Sequence, residues 1–485
     1  MSFNRNLFSG RRTKIVCTIG PATNSELMLE RLANAGMDCA RLNFSHGNPS
    51  EHLQVIESIR KISERTGKQI AVLQDLPGPK FRIGKVKNGF VNIKKGALLT
   101  LTTKHIEGSA EVIPLRSQDL PRLVPEGGSI FLSDGSIKLK VLRVTRGAIQ
   151  CKCELGGVLL SGKGVNVPQL KRGLETFTSK DREFLRFGLE HDVDLVAVSF
   201  VRKASDIEAV KDFVKKKGSK VPVIAKIEKR DAVSNIGSIV AASDALMVAR
   251  GDLGVENPIE QVPELQKEII SDCNSRGIPV ITATQMLESM VSNPSPTRAE
   301  VTDVANSIFD GTDAVMLSEE TAIGKYPMEC VRTLNNVALR AEDRMRRSKK
   351  SLSIDSPSSD DITEAISAAA AQISATIGAK AIIARLGSND IVPKISRFRP
   401  NAPILAISDT YAALRRSKIV WGVFPIKSDK KEALDRTLTA TTVRLFQEEL
   451  LKSGEKIVLV HDSPTSSGQK SVNLRAMQLA SSKKS

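Results

Sequence analysis

The sequence predicts an α/β fold: a (β/α)8 TIM barrel with a small β-barrel domain inserted in one loop and an open-sheet α/β domain at its C-terminal end. Three observations support this prediction. Eight apolar, strand-like runs alternate with amphipathic stretches of helical length over the first two thirds of the chain. The helical period disappears between residues 85 and 168. Strand–helix units then return beyond a Ser-rich segment near residue 350.

A chain of 485 residues is longer than one hydrophobic core usually supports, so several domains are expected. We place the barrel at residues 1–84 and 169–347, the inserted domain at 85–168, a linker at 348–360 and the C-terminal domain at 361–485. The predicted barrel strands are Thr13–Ile19, Cys39–Phe44, Ile70–Asp75, Leu195–Phe200, Val221–Glu228, Ala245–Ala249, Pro279–Thr284 and Ala314–Ser318. Predicted helices between them include Ser25–Ala35, Pro49–Thr66, Ser179–His191, Asp206–Lys217 and Pro263–Arg276.

Short runs that alternate apolar and polar residues indicate that the inserted domain is all β. Turn signals such as Asn88-Gly89 separate these runs. The domain ends in Ser161–Asn166, where glycines flank Lys163. A domain in a barrel loop can close over a site at the rim. Its predicted strands are Phe90–Ile93, Leu98–Leu101, Ser129–Leu132, Ile137–Val144 and Ala148–Cys153.

The C-terminal domain begins with an alanine-rich helix predicted over Ile362–Ile377. Its stripe of alanines can pack against the domain's own sheet or against another subunit, and the sequence leaves both possibilities open. Predicted strands follow at Ala381–Ala384, Pro403–Ile407 and Ile457–Val460. We find no cofactor fingerprint among them.

Composition excludes some classes of protein. The apolar and charged fractions, 41% and 26%, are those of ordinary globular proteins. No apolar run approaches the roughly 20 residues of a membrane span, and the first residues contain no signal-peptide core, so we predict a cytoplasmic protein. The six cysteines are scattered. Only Cys151 and Cys153 are close together, and without a second pair or a nearby His we expect reduced thiols rather than a metal site.

The net charge of +17 is high and could indicate a nucleic-acid partner. One Trp and two Tyr offer few platforms for stacking bases, which argues against that partner. The sequence alone leaves the excess of positive charge unexplained.

Unusual polar residues lie where the predicted barrel strands end. Lys226 and Glu228 share one face of the fifth strand, and the sixth strand ends at Gly251-Asp252. Two carboxylates and an ammonium can hold a divalent cation and an anionic substrate. For either stretch alone, an ordinary salt bridge at a sheet end explains the residues equally well. Polar ends on six strands of one rim favour an active site; the other four are Arg41–Gly47, Asp75–Arg82, Thr282–Gln285 and Ser318–Thr321.

Five long motifs follow one another in order: Arg12–Ala22, Ala40–Gly47, Ala225–Glu228, Met247–Glu256 and Ala283–Met290. Together they closely resemble pyruvate kinase. The likeness is dense over the barrel, loose over the inserted domain and weak over the C-terminal domain. It implies the same three domains, phosphoryl transfer from phosphoenolpyruvate to ADP in the last step of glycolysis, and a homotetramer.

The resemblance also implies roles for single residues. Glu228 and Asp252 match the ligands of the catalytic Mg2+ or Mn2+. Lys226 matches the residue that stabilises charge on the transferred phosphoryl group and the enolate, and Arg41 matches a phosphate clamp. Gly251 and Asp252, with Thr284, match the residues that hold the substrate carboxylate. Arg82 and Lys163 match nucleotide-binding positions, and Ser318 matches a residue of a proton relay.

One departure concerns a monovalent cation. Members that require K+ hold it at positions matching Asn43, Ser45, Asp75 and Leu76, with threonine at the last of these and glutamate at the position of Lys80. Here Leu76 has no side-chain oxygen. Lys80 places an ammonium at a position where members of the family can use an ammonium in place of the monovalent ion. We therefore expect K+ to be dispensable.

Other departures lie elsewhere in the chain. Glu319 stands where the family usually has glycine, and we assign it no role. Sugar-phosphate-regulated members have a Ser/Thr-rich loop where this chain has Arg385–Asp390. The sequence of the loop His461–Gly468 also differs from the family pattern. We therefore expect no strong activation by fructose bisphosphate.

Two other functions stay open on the sequence alone. A Mg2+-dependent aldolase or lyase could use the paired carboxylates and the lysine, but the match of Arg82 and Lys163 to a nucleotide site argues against it. A purely binding role would be expected to lose Lys226, Glu228 or Asp252, and all three are present.

Overall fold

The computed structural model describes residues 10–133, 135–168, 175–347, 361–387, 391–428, 434–464 and 470–479. Eight parallel strands close into a barrel in which each strand pairs with its neighbours along the chain, which confirms the predicted fold class. The predicted linker at 348–360 lies outside the described residues, as do parts of the loops 385–390 and 461–468. The barrel strands are β1 (Lys14–Ile19), β2 (Cys39–Asn43), β3 (Ala71–Leu76), β4 (Leu195–Val198), β5 (Val223–Ile227), β6 (Ala245–Ala249), β7 (Val280–Ala283) and β8 (Ala314–Leu317).

Amphipathic helices cover the outside of the barrel, and local signals set where they begin and end. In the helix Pro49–Thr66, Asn48 and Glu51 form a reciprocal capping box, and Gly67 ends the helix in the left-handed conformation at φ 71°. Its buried face packs into the core between strands and helices. The barrel helices are Glu26–Ala35, Pro49–Thr66, Ser179–Glu190, Ala204–Lys216, Arg230–Ser234, Ile236–Ala242, Arg250–Glu256, Val262–Arg276, Arg298–Phe309, Glu319–Ala322 and Pro327–Arg347.

The inserted domain, hereafter the lid, consists of a curled sheet and a separate two-stranded sheet, which share one apolar core. Alternate residues of its longest strands point inward, and Cys151 and Cys153, two residues apart on one strand, both belong to that core. A short helix, Leu120–Leu123, accompanies the sheet. The lid strands are Phe81–Arg82, Phe90–Ile93, Leu98–Thr102, Val112–Pro114, Ser129–Leu132, Ile137–Thr145, Ala148–Leu155, Gly157–Leu160 and Gly164–Asn166.

The C-terminal domain contains a five-stranded sheet whose last strand is antiparallel. The alanine-rich helix packs against this sheet, because Ala370 is buried in one core with Ile382 and Val458. Of the two alternatives left open, packing on the domain's own sheet is the one observed. The strands are Ala381–Arg385, Ile404–Ser408, Val423–Lys427, Lys456–Pro464 and Lys470–Gln478; the helices are Ile362–Ile377, Ile391–Ser396, Tyr411–Arg416 and Leu434–Gln447.

Four aspartates, which we call the aspartate ring, lie at the end of the barrel opposite the rim. Each stands directly before an even-numbered strand and accepts a hydrogen bond from a backbone N–H of the preceding odd-numbered strand. The pairs are Asp38 with Ile15 at 3.0 Å, Asp194 with Val72 at 2.8 Å, Asp244 with Val223 at 2.7 Å and Asp313 with Val280 at 3.0 Å.

The C-terminal domain closes this end of the barrel by supplying cations to the aspartate ring. The contacts are Lys418 with Asp38 at 2.7 Å, Arg415 with Asp194 at 2.6 Å and Arg399 with Asp313 at 2.8 Å. Asp38 and Asp194 also hold Arg11 and Arg60 of the barrel itself. Between these contacts, Ile419 of the C-terminal domain joins the apolar core inside the barrel. The two domains therefore share a continuous buried interface.

Candidate active site

The end of β5 brings an ammonium and a carboxylate together at the rim, as the sequence predicts. The Lys226 Nζ atom lies 2.8 Å from Glu228 Oε1 and 3.3 Å from Asp75 Oδ1 at the end of β3. It also donates to the Ser199 hydroxyl at 2.7 Å. All four side chains are buried. Sequence reasoning did not single out Ser199, although it is the first polar residue after the apolar run of β4.

The same Asp75 carboxylate also holds Arg41. Arg41 donates through Nε to Asp75 Oδ2 at 2.7 Å and through Nη1 to the Thr18 hydroxyl at 2.9 Å, and its Nη2 forms an ion pair with Asp75 Oδ2 at 2.7 Å. This forked geometry fixes the plane of the guanidinium. Asp75, predicted only as a monovalent-ion position, thus orients both cations of the rim, and Thr18 is a further contact that sequence reasoning missed.

Burial and neighbouring charges shift the pKa values of these groups in opposite directions. Burial alone would lower the pKa of Lys226, but the carboxylates of Asp75 and Glu228 outweigh it and raise that pKa above its ordinary value. Burial alone would raise the pKa of Asp75, but Lys226 and Arg41 outweigh it and lower that pKa. Lys226 is therefore an ammonium and Asp75 a carboxylate at neutral pH.

Glu228 and Asp252 form a pair of hard oxygen donors. Burial, and then the nearby charge of Asp252, raise the pKa of Glu228 although Lys226 opposes them. A divalent cation between the two carboxylates would remove that like-charge penalty, so the donor set fits Mg2+ or Mn2+. Glu228 is held in place by the backbone N–H of Phe200, which donates to Oε2 at 2.7 Å from a strained φ of 59°. Asn166 of the lid donates to Asp252 Oδ1 at 3.3 Å.

Gly251 and Thr284 lie side by side, as predicted. The Gly251 N–H donates to the Thr284 hydroxyl at 2.8 Å, and Thr284 adopts a φ of 71°, which is rare for a residue with a branched side chain. Arg250 braces this conformation by donating to the Thr284 carbonyl at 2.7 Å while it pairs with Asp303. A backbone donor and a hydroxyl are thus held at one point of the rim.

Arg82 and Lys163 meet where the lid joins the barrel. Gly164 pairs with Arg82 across the two entry strands, and Arg82 donates to the Gly162 carbonyl at 3.1 Å. Burial, and then the charges of Arg82, Lys80, Arg41 and Lys163, lower the pKa of His46. Residues 85–168 carry 13 Lys and Arg against 6 Asp and Glu, which places much of the net charge in the lid.

The monovalent-ion positions are partly engaged by other groups. Asn43 Oδ1 accepts the Ser45 N–H at 3.1 Å, while the Leu76 carbonyl accepts the Ser199 hydroxyl at 2.8 Å. The Leu76 side chain is buried in the barrel core. Lys80 lines a cleft beneath the lid with Phe200, among others.

Ser318 lies at the end of β8, and its N–H donates to Glu320 Oε2 at 2.6 Å. Glu320 also accepts the Leu287 N–H at 3.1 Å, so it ties the ends of two strands together, a role that sequence reasoning missed. Glu319 is exposed. Among the described residues, no hydrogen bond joins Ser318 to Lys226 or Arg41, so the structure does not bring it into their cluster.

Within the described part of the chain, no helix is both long enough and apolar enough to cross a bilayer.

The fold and its rim define a (β/α)8-barrel enzyme that handles an anionic substrate at the carboxyl ends of its strands. Comparison with known families identifies it further. The model of the pyruvate kinase barrel domain matches residues 10–331, and the model of the pyruvate kinase α/β domain matches residues 364–474. The chain belongs to the pyruvate kinase family of phosphotransferases, as its motifs predict.

Individual relatives agree with this assignment. The chain is 42% identical over 458 residues to the pyruvate kinase of Staphylococcus saprophyticus, covering 94% of this chain and 78% of the relative. It is 40% identical over 457 residues to that of Staphylococcus aureus, with the same coverage. Among solved structures, a pyruvate kinase from Cryptosporidium parvum matches with a TM-score of 0.87 and 33% identity, covering 98% of both chains.

Proposed function

We propose that this chain transfers a phosphoryl group from phosphoenolpyruvate to ADP and so produces pyruvate and ATP, the last step of glycolysis. One observation supports this most strongly: Asp75 orients Lys226 and Arg41 together, beside the carboxylate pair of Glu228 and Asp252. Phosphoryl transfer depends mainly on positioning and charge stabilisation, and this arrangement supplies both. A homotetramer and a cytoplasmic location are part of the proposal.

Each rim residue has a role that follows from its charge and its position. Arg41, fixed by Asp75 and Thr18, clamps the phosphate of the substrate. Lys226 stabilises charge on the phosphoryl group in transfer and on the enolate that remains. The backbone of Gly251 and Asp252, with the Thr284 hydroxyl, holds the substrate carboxylate. The resemblance, rather than a contact with Lys226 or Arg41, supports a role for Ser318 in the relay that protonates the enolate.

Glu228 and Asp252 would hold Mg2+ or Mn2+, which when bound neutralises phosphate charge and aligns the substrate oxygens. On the lid, Arg82 and Lys163 bind the nucleotide phosphates. The Asn166–Asp252 contact is a point at which closure of the lid would bear on the metal site. Closure also excludes water, so that the phosphoryl group passes to ADP.

The direct test is pyruvate formation from phosphoenolpyruvate with Mg2+, measured with and without ADP. We expect turnover only when ADP and a divalent cation are both present, and a chelator should abolish it. Pyruvate formed at the same rate without nucleotide would instead support the lyase alternative.

We also propose that K+ is dispensable, because Leu76 has no side-chain oxygen for the ion and Lys80 supplies an ammonium whose charge contributes to lowering the pKa of His46. Wild-type turnover should differ little between K+-free and K+-containing buffers. Lys80→Glu should create a K+ requirement, with a loss of at least about tenfold in K+-free buffer, since one charge at the rim is reversed. Lys87→Glu, which makes the same charge change at an exposed lid position, should create no such requirement. A wild type that is inactive without K+ would contradict this proposal.

Finally, we propose that fructose bisphosphate is not a strong activator, because the loop after Ala381–Arg385 lacks the Ser/Thr-rich phosphate-binding composition. Saturation curves for phosphoenolpyruvate, measured with and without the sugar phosphate, should nearly coincide. A large shift of the curve to lower substrate concentration would refute the proposal.

A further inference from the structure

Ser199 occupies a central position in the polar cluster, although none of the roles above requires it. It follows β4 directly and is only 4% exposed. Its hydroxyl oxygen lies 2.7 Å from Lys226 Nζ, 2.8 Å from the Leu76 carbonyl oxygen and 3.5 Å from Asp75 Oδ1. A hydroxyl has one proton and two lone pairs. Ser199 therefore accepts from the ammonium of Lys226 and donates to the carbonyl of Leu76.

The ammonium of Lys226 has three protons, and three acceptors surround it. These acceptors are Glu228 directly after the same strand, Asp75 at the end of β3 and Ser199 directly after β4. The side chain is a flexible four-carbon stem, so three acceptors at three strand ends are needed to fix the direction of its head group. Ser199 is the neutral member of this set, and it fixes direction without reducing the positive charge.

The hydrogen bond that the Ser199 hydroxyl donates explains how Ser199 can fix the direction of the Lys226 ammonium. Its proton is directed to the backbone carbonyl of Leu76, which belongs to a strand of the closed barrel. The lone pair that receives Lys226 is therefore oriented by the barrel itself. By contrast, Glu228 and Asp75 each have a second task, since Glu228 accepts the Phe200 N–H and Asp75 holds Arg41.

We propose that Ser199 is a positioning residue for phosphoryl transfer: its hydroxyl, anchored on the Leu76 carbonyl, directs the Lys226 ammonium toward the phosphoryl group in transfer. This inference rests on the proposed function of the rim. Ser199 acts through Lys226 and does not itself touch the substrate.

The test compares three substitutions at one position. Ser199→Ala removes the acceptor, and Ser199→Cys keeps the volume but offers only a weak sulfur acceptor. Both should lower kcat by roughly 10- to 100-fold, because a misplacement of about 1 Å at a reacting group costs up to about 10²-fold. The KM for phosphoenolpyruvate should change much less, since Arg41 and the carboxylate pair are intact. Ser199→Thr retains the hydroxyl and should recover most of the lost kcat.

Ser243→Ala is a matched control, because Ser243 is also 4% exposed and its hydroxyl also donates to a backbone carbonyl, that of Ile239, while no lysine of the described residues is hydrogen-bonded to it. This control should keep the wild-type kcat. A purely structural role for Ser199 would spare Ser199→Cys, so wild-type kcat in the Cys or Ala variant would overturn the proposal. Equal losses in Ser199→Thr and Ser199→Ala would also overturn it.

A second readout does not depend on turnover. Reductive methylation of the folded protein, followed by mass spectrometry, reports how freely each lysine reacts. Lys226 should be modified faster in Ser199→Ala than in the wild type, while Lys229, which pairs with Glu256, should be unchanged. An unchanged Lys226 rate would count against the positioning role. An inactive wild type with the expected change at Lys226 would instead place the failure in the proposed function.

Discussion

Lys226→Met is expected to lower kcat by at least roughly 10²- to 10³-fold, the loss that follows removal of a single preorganised donor from an oxyanion site. Lys226 is a full positive charge rather than a dipole, so its removal takes away more stabilisation of the transferred phosphoryl group and the enolate. Steady-state kinetics with phosphoenolpyruvate and ADP measure this loss. The KM for phosphoenolpyruvate should rise less than kcat falls, because Arg41 still clamps the phosphate.

The variant must be shown to be folded, since Asp75 and Glu228 lose their shared ammonium. Binding of Mn2+, followed by the disappearance of the free-ion EPR signal, reports on Glu228 and Asp252 without turnover and should persist in Lys226→Met. Lys211→Met is the matched control, because Lys211 also pairs with an aspartate, at 2.7 Å, but that aspartate is Asp244 of the ring, at the end of the barrel opposite the rim. Its kcat should equal that of the wild type. A Lys226→Met variant that binds Mn2+ and retains more than a tenth of the wild-type kcat would exclude the proposed role.

Asp313→Ala is expected to be the most destabilising single change in the aspartate ring. The carboxylate is 4% exposed and accepts from the Val280 and Trp421 N–H groups, each at 3.0 Å, and from Arg399 at 2.8 Å. Its removal leaves buried donors unpaired on both domains. We expect a loss of about 3–5 kcal/mol of stability and a fall of roughly 5–10 °C in Tm, as for one partner removed from a buried ion pair. Differential scanning calorimetry measures the fall in Tm.

Asp343→Ala provides the contrast, because Asp343 pairs with Arg347 on the surface of one helix at 2.9 Å. An exposed pair of this kind contributes about 0.3–0.5 kcal/mol, so the melting temperature should hardly change. Equal melting temperatures for the Asp313 and Asp343 variants would show that the ring does not bind the two domains together.

The barrel was predictable because its strands are apolar on both faces and alternate with amphipathic helices, a pattern visible without any tertiary information. The rim residues were predictable for a related reason. Parallel strands of a closed barrel end on one side, so a polar residue at each end implies convergence, as Lys226 and Asp75 illustrate. The exact ends of the strands were less predictable. The predicted fifth strand extends to Glu228, whereas β5 ends at Ile227.

Ser199 and the aspartate ring escaped sequence reasoning for different reasons. The predicted fourth strand, Leu195–Phe200, was not among the six strands whose polar ends were singled out, although Ser199 lies near its end. Each ring aspartate precedes an even-numbered strand, a repeat that the sequence contains but that has no meaning until the barrel is closed. Partners such as Arg399 and Arg415 lie far along the chain, and only tertiary packing brings them to the ring.

The aspartate ring also bears on how such a chain can change during evolution. The lid has its own core, so it can diverge or be exchanged while the rest of the molecule stays intact. The C-terminal domain also has an apolar core of its own, but the barrel depends on it. Its loss would deprive Asp313 of Arg399, and Lys14 of the Val423 carbonyl that its Nζ contacts at 2.6 Å, and it would expose the apolar inside of the barrel around Ile419. We therefore expect barrel and C-terminal domain to be inherited as a single unit, with coupled substitutions across their interface.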